Sequence, residues 1–148
     1  MSPRSREQFK EMREEKKQLI MHTALQLFSE KGFSHTSISD IAVSAGISKG
    51  LMYNYFSGKN ALLSDILQTG MDEIFSSFDR DHDGVLTEGE FTHFVRTLFG
   101  LLRSRKEFWR LYFGLIAQPD VFSELASTGF MGSFESTKQL LDKHFRDK

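Results

Sequence analysis

"TSISDIAVSAGISKGLMYNYFSGK", Thr36 to Lys59, decides how this chain folds. Ser37 stands three residues before Asp40, a capping-box spacing, so a helix is expected to begin near Ile38. Ile41 and Ala42 form its inward side, and Gly46 ends it after two turns. Ser48 is a good N-cap for a second short helix, with Met52, Tyr55 and Phe56 on its apolar side. Two short helices joined at a glycine, the first with a small residue at the crossing point, follow the grammar of a helix-turn-helix. Ala42 lets the helices approach, Gly46 permits the turn and Ile47 fills the gap.

Upstream, Ile20, Ala24, Leu27 and Phe28 form one helical stripe. The segment from Arg6, dense in Glu, Lys and Arg, extends that helix as a solvated first half. Gly32 suits the left-handed position after the last turn, where Phe33 folds back. Downstream, Ser57 is expected to cap a fourth helix running to Phe78, with Leu62, Leu63, Ile66, Leu67, Ile74 and Phe78 buried. Gly70 within it costs about 1 kcal/mol relative to Ala. Residues 91–105 and 106–118 read as amphipathic helices, the second stopped by Pro119. Residues 121–127 and 133–145 are also expected to be helical, separated by "TGFMG". The fold class is all-α.

"ALQLFSEKGF", "TSISDIAVSAGISKG" and "MYNYFSGKNALL" carry a resemblance to the N-terminal domain of the tetracycline-repressor (TetR) family of transcription regulators. It covers about fifty residues with the family's spacing; Gly58 and Asn60 depart from the residues usual after "YF". The resemblance implies a DNA-binding three-helix unit over 1–59 and a helical ligand-binding and dimerisation part over 60–148. The N-terminal residues of a recognition helix meet base edges in the major groove; here those are Ser48, Lys49, Gly50 and Leu51. Lys49 suits guanine acceptors or a phosphate, and Leu51 a thymine methyl. By the family's pattern, phosphate clamps fall on Thr36 or Ser37, on Tyr53 and Tyr55, and on Lys59. The implied protein is a repressor, a homodimer on palindromic double-stranded DNA, relieved by a small-molecule inducer. The chain is shorter than that family's usual members, which fits either a fragment lacking their final dimerisation helices or a dimer formed through a smaller surface around residues 121–148.

A second motif, "FDRDHDGVLTEGEF" at Phe78–Phe91, is independent of the first. Counting from Asp79, the cation ligands of a twelve-residue EF-hand loop would be Asp79, Asp81, Asp83, the Val85 carbonyl, Thr87 and Glu90, with Gly84 at the sixth position. Leu86 takes the usually apolar eighth place. Three carboxylates following a helix C-terminus repel one another and the dipole. Arg80 and His82 offset part of this, and a divalent cation would offset more. Oxygen-only ligands favour Ca²⁺ over Mg²⁺. Such loops usually work in pairs, and no second one occurs in the sequence. A calcium-binding module with a structural or sensor role is therefore the alternative reading. The fourth helix leads from the Lys59 clamp toward Asp79, so ordering of the loop is expected to influence the DNA-reading part.

Composition narrows the remainder. Residues 1–60 carry nine Lys/Arg and six Asp/Glu, whereas 61–148 carry ten and fourteen, so an anionic partner suits the front. There are no cysteines, which excludes disulfides, zinc thiolates and a cysteine nucleophile. No secretory signal is evident and no apolar run reaches membrane-spanning length, giving a soluble, cytoplasmic reading. Five scattered histidines, no nucleophile elbow and no phosphate loop argue against an enzyme. Among the aromatics of the back half, Phe94, Phe108, Trp109 and Tyr112 are the candidates to line a ligand pocket, against the commoner reading of aromatics at helical spacing as core.

Overall fold

A computed structural model describes residues 3–79, 81–127 and 130–147. Among these the regular structure is helical throughout, as expected. Backbone contacts divide the chain into two compact units, Met1–Ile66 and Leu67–Lys148.

The first unit holds α1 (Pro3–Lys31), α2 (Ile38–Ala45), α3 (Lys49–Tyr55) and the opening turns of α4 (Lys59–Phe75). Strong helix formers carry α1 through its charged half. It stops at Gly32, whose φ of +97° is accessible to glycine without strain. Phe33 then folds edge-on against Phe28, with ring centroids 5.0 Å apart. Helix α2 begins on a full capping box: the Asp40 amide donates to Ser37 Oγ at 3.0 Å and the Ser37 amide to Asp40 Oδ2 at 2.9 Å. It ends at Gly46 (φ +69°), where the Ile47 amide reaches Ala42 O and the Gly46 amide reaches Val43 O, a Schellman closure. Ser48 caps α3 by accepting from the Leu51 amide at 3.0 Å. Ile20, Phe28, Ile41, Met52 and Leu62 are buried at the centre of this unit, and Ala42 at the crossing point is buried with them.

One side of the charged half of α1 is packed as well as solvated. The Arg13 guanidinium donates to the Asn54 carbonyl at 3.2 Å and lies 4.7 Å from the centre of the Tyr55 ring. Lys17 sits over Phe56 and pairs with Asp65 at 3.8 Å. At the start of α4 the first ladder carbonyl belongs to Gly58, accepting from the Leu62 amide at 3.2 Å, rather than to Ser57. Glycine is acceptable at that position.

The second unit holds the rest of α4, then α5 (Glu88–Ser104), α6 (Lys106–Ile116), α7 (Pro119–Ser127) and α8 (Phe130–Arg146). Three expectations are corrected here. Helix α4 ends at Phe75, not Phe78: the Phe78 amide turns tightly onto Phe75 O and its ring joins Phe75 and Phe94 in an aromatic cluster. Pro119 opens α7, where its missing N–H costs nothing, and α6 has already ended at Ile116. Phe130, Met131 and Gly132 of "TGFMG" are helical in α8, while Thr128 and Gly129 lie outside the described residues.

Gly70 has a packing role. A Cβ built there would fall 2.3 Å from Tyr112 Cε2. Tyr112 is fully buried, and its hydroxyl donates to the Leu67 carbonyl at 2.6 Å. Glycine at 70 is what lets α4 and α6 approach across this ring. Arg105 braces the same two helices from outside, its Nη1 bonding both Glu73 oxygens at 2.7 and 2.8 Å.

Candidate nucleic-acid interface and cation loop

The start of α3 is built to present backbone and short side chains. Ser48 is committed to its cap, Lys49 and Gly50 are exposed, and Leu51 is half-buried. A Cβ at Gly50 would meet nothing closer than Ser48 Oγ at 4.0 Å, so the space outside this turn is open. Ser37, exposed at the start of α2, and Tyr53, half-exposed on α3, are accessible in the same unit.

The remaining residues expected at phosphates are held by the protein itself. Thr36 is 2% exposed, and its hydroxyl donates to Gly32 O at 2.8 Å and Leu27 O at 3.3 Å. It ties the end of α1 to the approach to α2, whereas Ser37 faces out. The Lys59 ammonium donates to Phe33 O at 2.7 Å and sits 4.2 Å above the Phe33 ring. Tyr55 is half-buried beneath the Arg13 guanidinium. Hydrogen bonds from Ser37 come first among the causes that hold the Asp40 carboxyl below its ordinary range, followed by the bond from Lys31 at 3.2 Å. Arg13, which holds the C-terminal carbonyl end of α3, was missed by sequence reasoning. Nothing in the sequence separates it from Arg6, Lys10 and Lys16 beside it.

The acidic loop lies between α4 and α5, within the second unit. Oxygens of Asp79, Asp81 and Asp83 all approach within 4.8 Å of one another. The loop folds on its own carboxylates: the Gly84 amide donates to Asp79 Oδ2 at 3.2 Å, and the Val85 amide to Asp83 Oδ1 at 2.8 Å. Gly84 turns at φ +75° and His82 at +57°. Asp79 Oδ1 is buried and finds no hydrogen-bond partner among the described residues. An ionised oxygen in that situation is costly unless something positive supplies its contact. Thr87 caps α5, and Glu90 Oε2 accepts from both the Thr87 amide (3.0 Å) and the Thr87 hydroxyl (2.7 Å). Glu90 is thus turned toward the cap and stands outside the three-aspartate group. Val85 is half-exposed, and Arg80 lies outside the described residues. The donor set, all oxygen with one buried carboxylate atom that has no partner among the described residues, fits a hard divalent cation.

Of the aromatics proposed for a ligand pocket, Trp109 and Tyr112 are core, Phe94 stacks on Phe75, and Phe108 lies against Arg105, Trp109 and Tyr112. The Trp109 indole N–H is buried with no partner among the described residues. A separate cavity of about 370 Å³, lined only by apolar side chains that include Met71, Phe75, Phe113, Ile116, Phe122 and Phe130, opens between α4, α6, α7 and α8.

These features define a helix-turn-helix unit followed in the chain by a helical unit that carries an acidic loop. Residues 20–66 match the bacterial regulatory proteins of the tetR family, and the chain belongs to that family. Residues 70–98 match the EF hand domain. The uncharacterized HTH-type transcriptional regulator YuxN of Bacillus subtilis is 33% identical over 129 residues, covering 87% of this chain and 40% of YuxN. This chain therefore spans about two fifths of that relative's length. A tetR-family transcription regulator from Marinobacter aquaeolei VT8 has the same fold, with a TM-score of 0.58 at 21% identity over 90% of this chain and 68% of the other. A putative tetR-family regulator from Shewanella sp. PV-4 gives a TM-score of 0.56 at 26% identity, covering 86% and 71%. No helix among the described residues is long and apolar enough to cross a membrane.

Proposed function

We propose that this chain regulates transcription by binding double-stranded DNA as a homodimer, α3 entering the major groove. The carrying observation is the open, Ser48-capped start of α3, with Lys49 and Gly50 exposed. Base reading is assigned to Lys49, Gly50 and Leu51, and phosphate contacts to Ser37, Tyr53 and the amides at the start of α2. Lys59 and Tyr55 meet phosphate only with the edges left by their own partners. Regulation is repression relieved by a small molecule, and the apolar cavity of the second unit suits an uncharged, largely hydrocarbon ligand. Gel shifts on a genomic fragment library test the reading. A near-palindromic site should be selected, and Lys49→Ala should weaken binding to it at least tenfold. Selection of no site refutes the proposal.

A second reading concerns the loop and rests on the buried Asp79 Oδ1, which has no hydrogen-bond partner among the described residues, beside Asp81 and Asp83. It holds one Ca²⁺ as a brace between α4 and α5, through Asp79, Asp81, Asp83, the Val85 carbonyl, Thr87 and Glu90. Calorimetry should give one Ca²⁺ site, weaker for Mg²⁺ and abolished in Asp79→Ala. Heat that survives the substitution removes the loop from the account. Because α4 runs unbroken from Lys59 to Phe75, a filled loop also steadies the helix that begins at the DNA-reading unit. Operator affinity unchanged between Ca²⁺ and chelator counts against that coupling.

A further inference from the structure

The acidic loop has a neighbour the sequence does not announce. In the last turns of α8, His144 Nδ1 lies 2.6 Å from the Leu86 carbonyl. A carbonyl only accepts, so Nδ1 carries the proton and donates. The opposite ring nitrogen, Nε2, is buried with no partner among the described residues. The ring also stacks on Phe91 of α5, with centroids 5.4 Å apart and planes 29° off parallel, and Phe145 meets Phe91 edge-on at 5.5 Å. Leu86 itself is 5% exposed. The end of α8 therefore grips the chain on both sides of Thr87–Glu90, at Leu86 before it and at Phe91 after it.

Those four residues carry the last two side chains of the proposed ligand set, and the Val85 carbonyl is one peptide before the gripped one. A single loop of this kind lacks the second loop that normally shares its burden. We infer that the C-terminal turn of α8 fills that role: His144 is a positioning residue that pins the exit of the loop through the Leu86 carbonyl, so the cation site is completed by a helix 58 residues further on. This rests on the cation reading above. By linkage the effect is reciprocal, and a cation in the loop tightens the end of α8.

Two substitutions separate the bond from the packing. His144→Phe keeps a ring against Phe91 and deletes the donor. His144→Asn shortens the side chain but keeps a donor where Nδ1 stands. Two readouts are taken on the full chain, well below its unfolding temperature. The first is amide hydrogen exchange over residues 85–88 and 140–146, without divalent cation and then with Ca²⁺. The second is Ca²⁺ affinity by titration. His144→Phe should speed exchange over 85–88 at least fivefold without cation and weaken Ca²⁺ binding five- to tenfold. His144→Asn should restore most of both. In the wild type, Ca²⁺ should slow exchange over 140–146, and in His144→Phe it should not. Exchange and affinity both within twofold of wild type in His144→Phe overturn the inference. Faster exchange with unchanged affinity overturns the coupling to the cation. If the wild type binds no Ca²⁺, the cation reading and its completion by α8 fail together. The cation-free exchange then decides separately whether His144 pins the loop.

Discussion

Substituting Gly70 by alanine sets two physical effects of opposite sign against each other. Helix propensity alone makes Gly70→Ala stabilising by about 1 kcal/mol at a mid-helix position. Packing predicts the reverse. The new Cβ would lie 2.3, 2.5 and 2.9 Å from Tyr112 Cε2, Cζ and Cδ2, so the fully buried ring must move. Forcing one extra carbon into such a core costs about 1–3 kcal/mol. A displaced ring also loses the 2.6 Å bond to the Leu67 carbonyl, leaving a buried hydroxyl unmet at about 1–3 kcal/mol more. Against the propensity gain, the net expectation is about 3 kcal/mol of destabilisation, or a fall of roughly 6–12 °C in Tm for a chain of this size. Urea unfolding of the wild type and of Gly70→Ala measures it. The cause is isolated by repeating the pair in a Tyr112→Leu background, where the two closest atoms are gone. There the alanine should be neutral or stabilising by up to about 1 kcal/mol, giving a coupling energy of about 3–4 kcal/mol. A Gly70→Ala protein as stable as the wild type, or an equal penalty in both backgrounds, refutes the argument.

Tyr112 also makes an alkaline prediction. Burial, and then the charge of Asp72, push its phenol above the ordinary tyrosine value. The fold thus favours the neutral form; the resulting stability is complete below the ordinary value and is lost as pH rises toward the folded one. Tyr112 should form tyrosinate only as the second unit unfolds, and ionisation with the fold intact contradicts this; Tyr112→Phe should flatten the alkaline limb of stability against pH. Arg13→Ala frees the Asn54 carbonyl and uncovers Tyr55, and should weaken operator binding several-fold while lowering stability by no more than about 1 kcal/mol; unchanged binding removes Arg13 from the interface. Lys59→Ala should cost stability in the absence of DNA, about 1 kcal/mol for its partly exposed bond to Phe33 O, whereas a purely phosphate-binding lysine would show a loss only in binding and in its salt dependence.

The parts of this fold legible in the sequence were those fixed by neighbours in the chain. Ser37 and Asp40 form the capping box their spacing implied, and Gly46 and Ile47 close α2 as read. Those bonds span three to five residues, within reach of a motif. What escaped was set by distant partners. Gly70 was legible only as a propensity cost, because the ring that requires it is 42 positions away at Tyr112. Thr36 and Ser37 were equivalent as hydroxyls, and only the return of the chain past Leu27 and Gly32 buries one and exposes the other. Pro119 ends one helix or opens another by the same chemistry, and the early stop of α6 decides between them. In the loop, the three aspartates were legible from their alternation, whereas the direction of Glu90 was not, because a glutamate three residues after a threonine satisfies two patterns at once.

That double pattern bears on what the loop can do. Counted from Asp79, Glu90 is the twelfth residue and closes a cation shell. Counted from Thr87, it is the third residue after a helix cap and closes a capping box. Its Oε2 is engaged in the second role, and one oxygen cannot face the Thr87 amide and a cation among Asp79, Asp81 and Asp83 equally well. A cation that recruits Glu90 must therefore compete with the start of α5. An N-cap interaction is worth about 1 kcal/mol, close to a fivefold reduction in affinity. That tax makes a lone loop a weak binder unless something else holds the start of α5 while Glu90 turns. The aromatic contact of Phe91 with His144 and Phe145 is placed at that residue's neighbour, so α5 keeps an anchor when its cap is released. On the proposed cation reading, the cap and the cation shell are alternative states of one short segment, and the contacts of Phe91 with the end of α8 would keep exchange between them compatible with an intact helix.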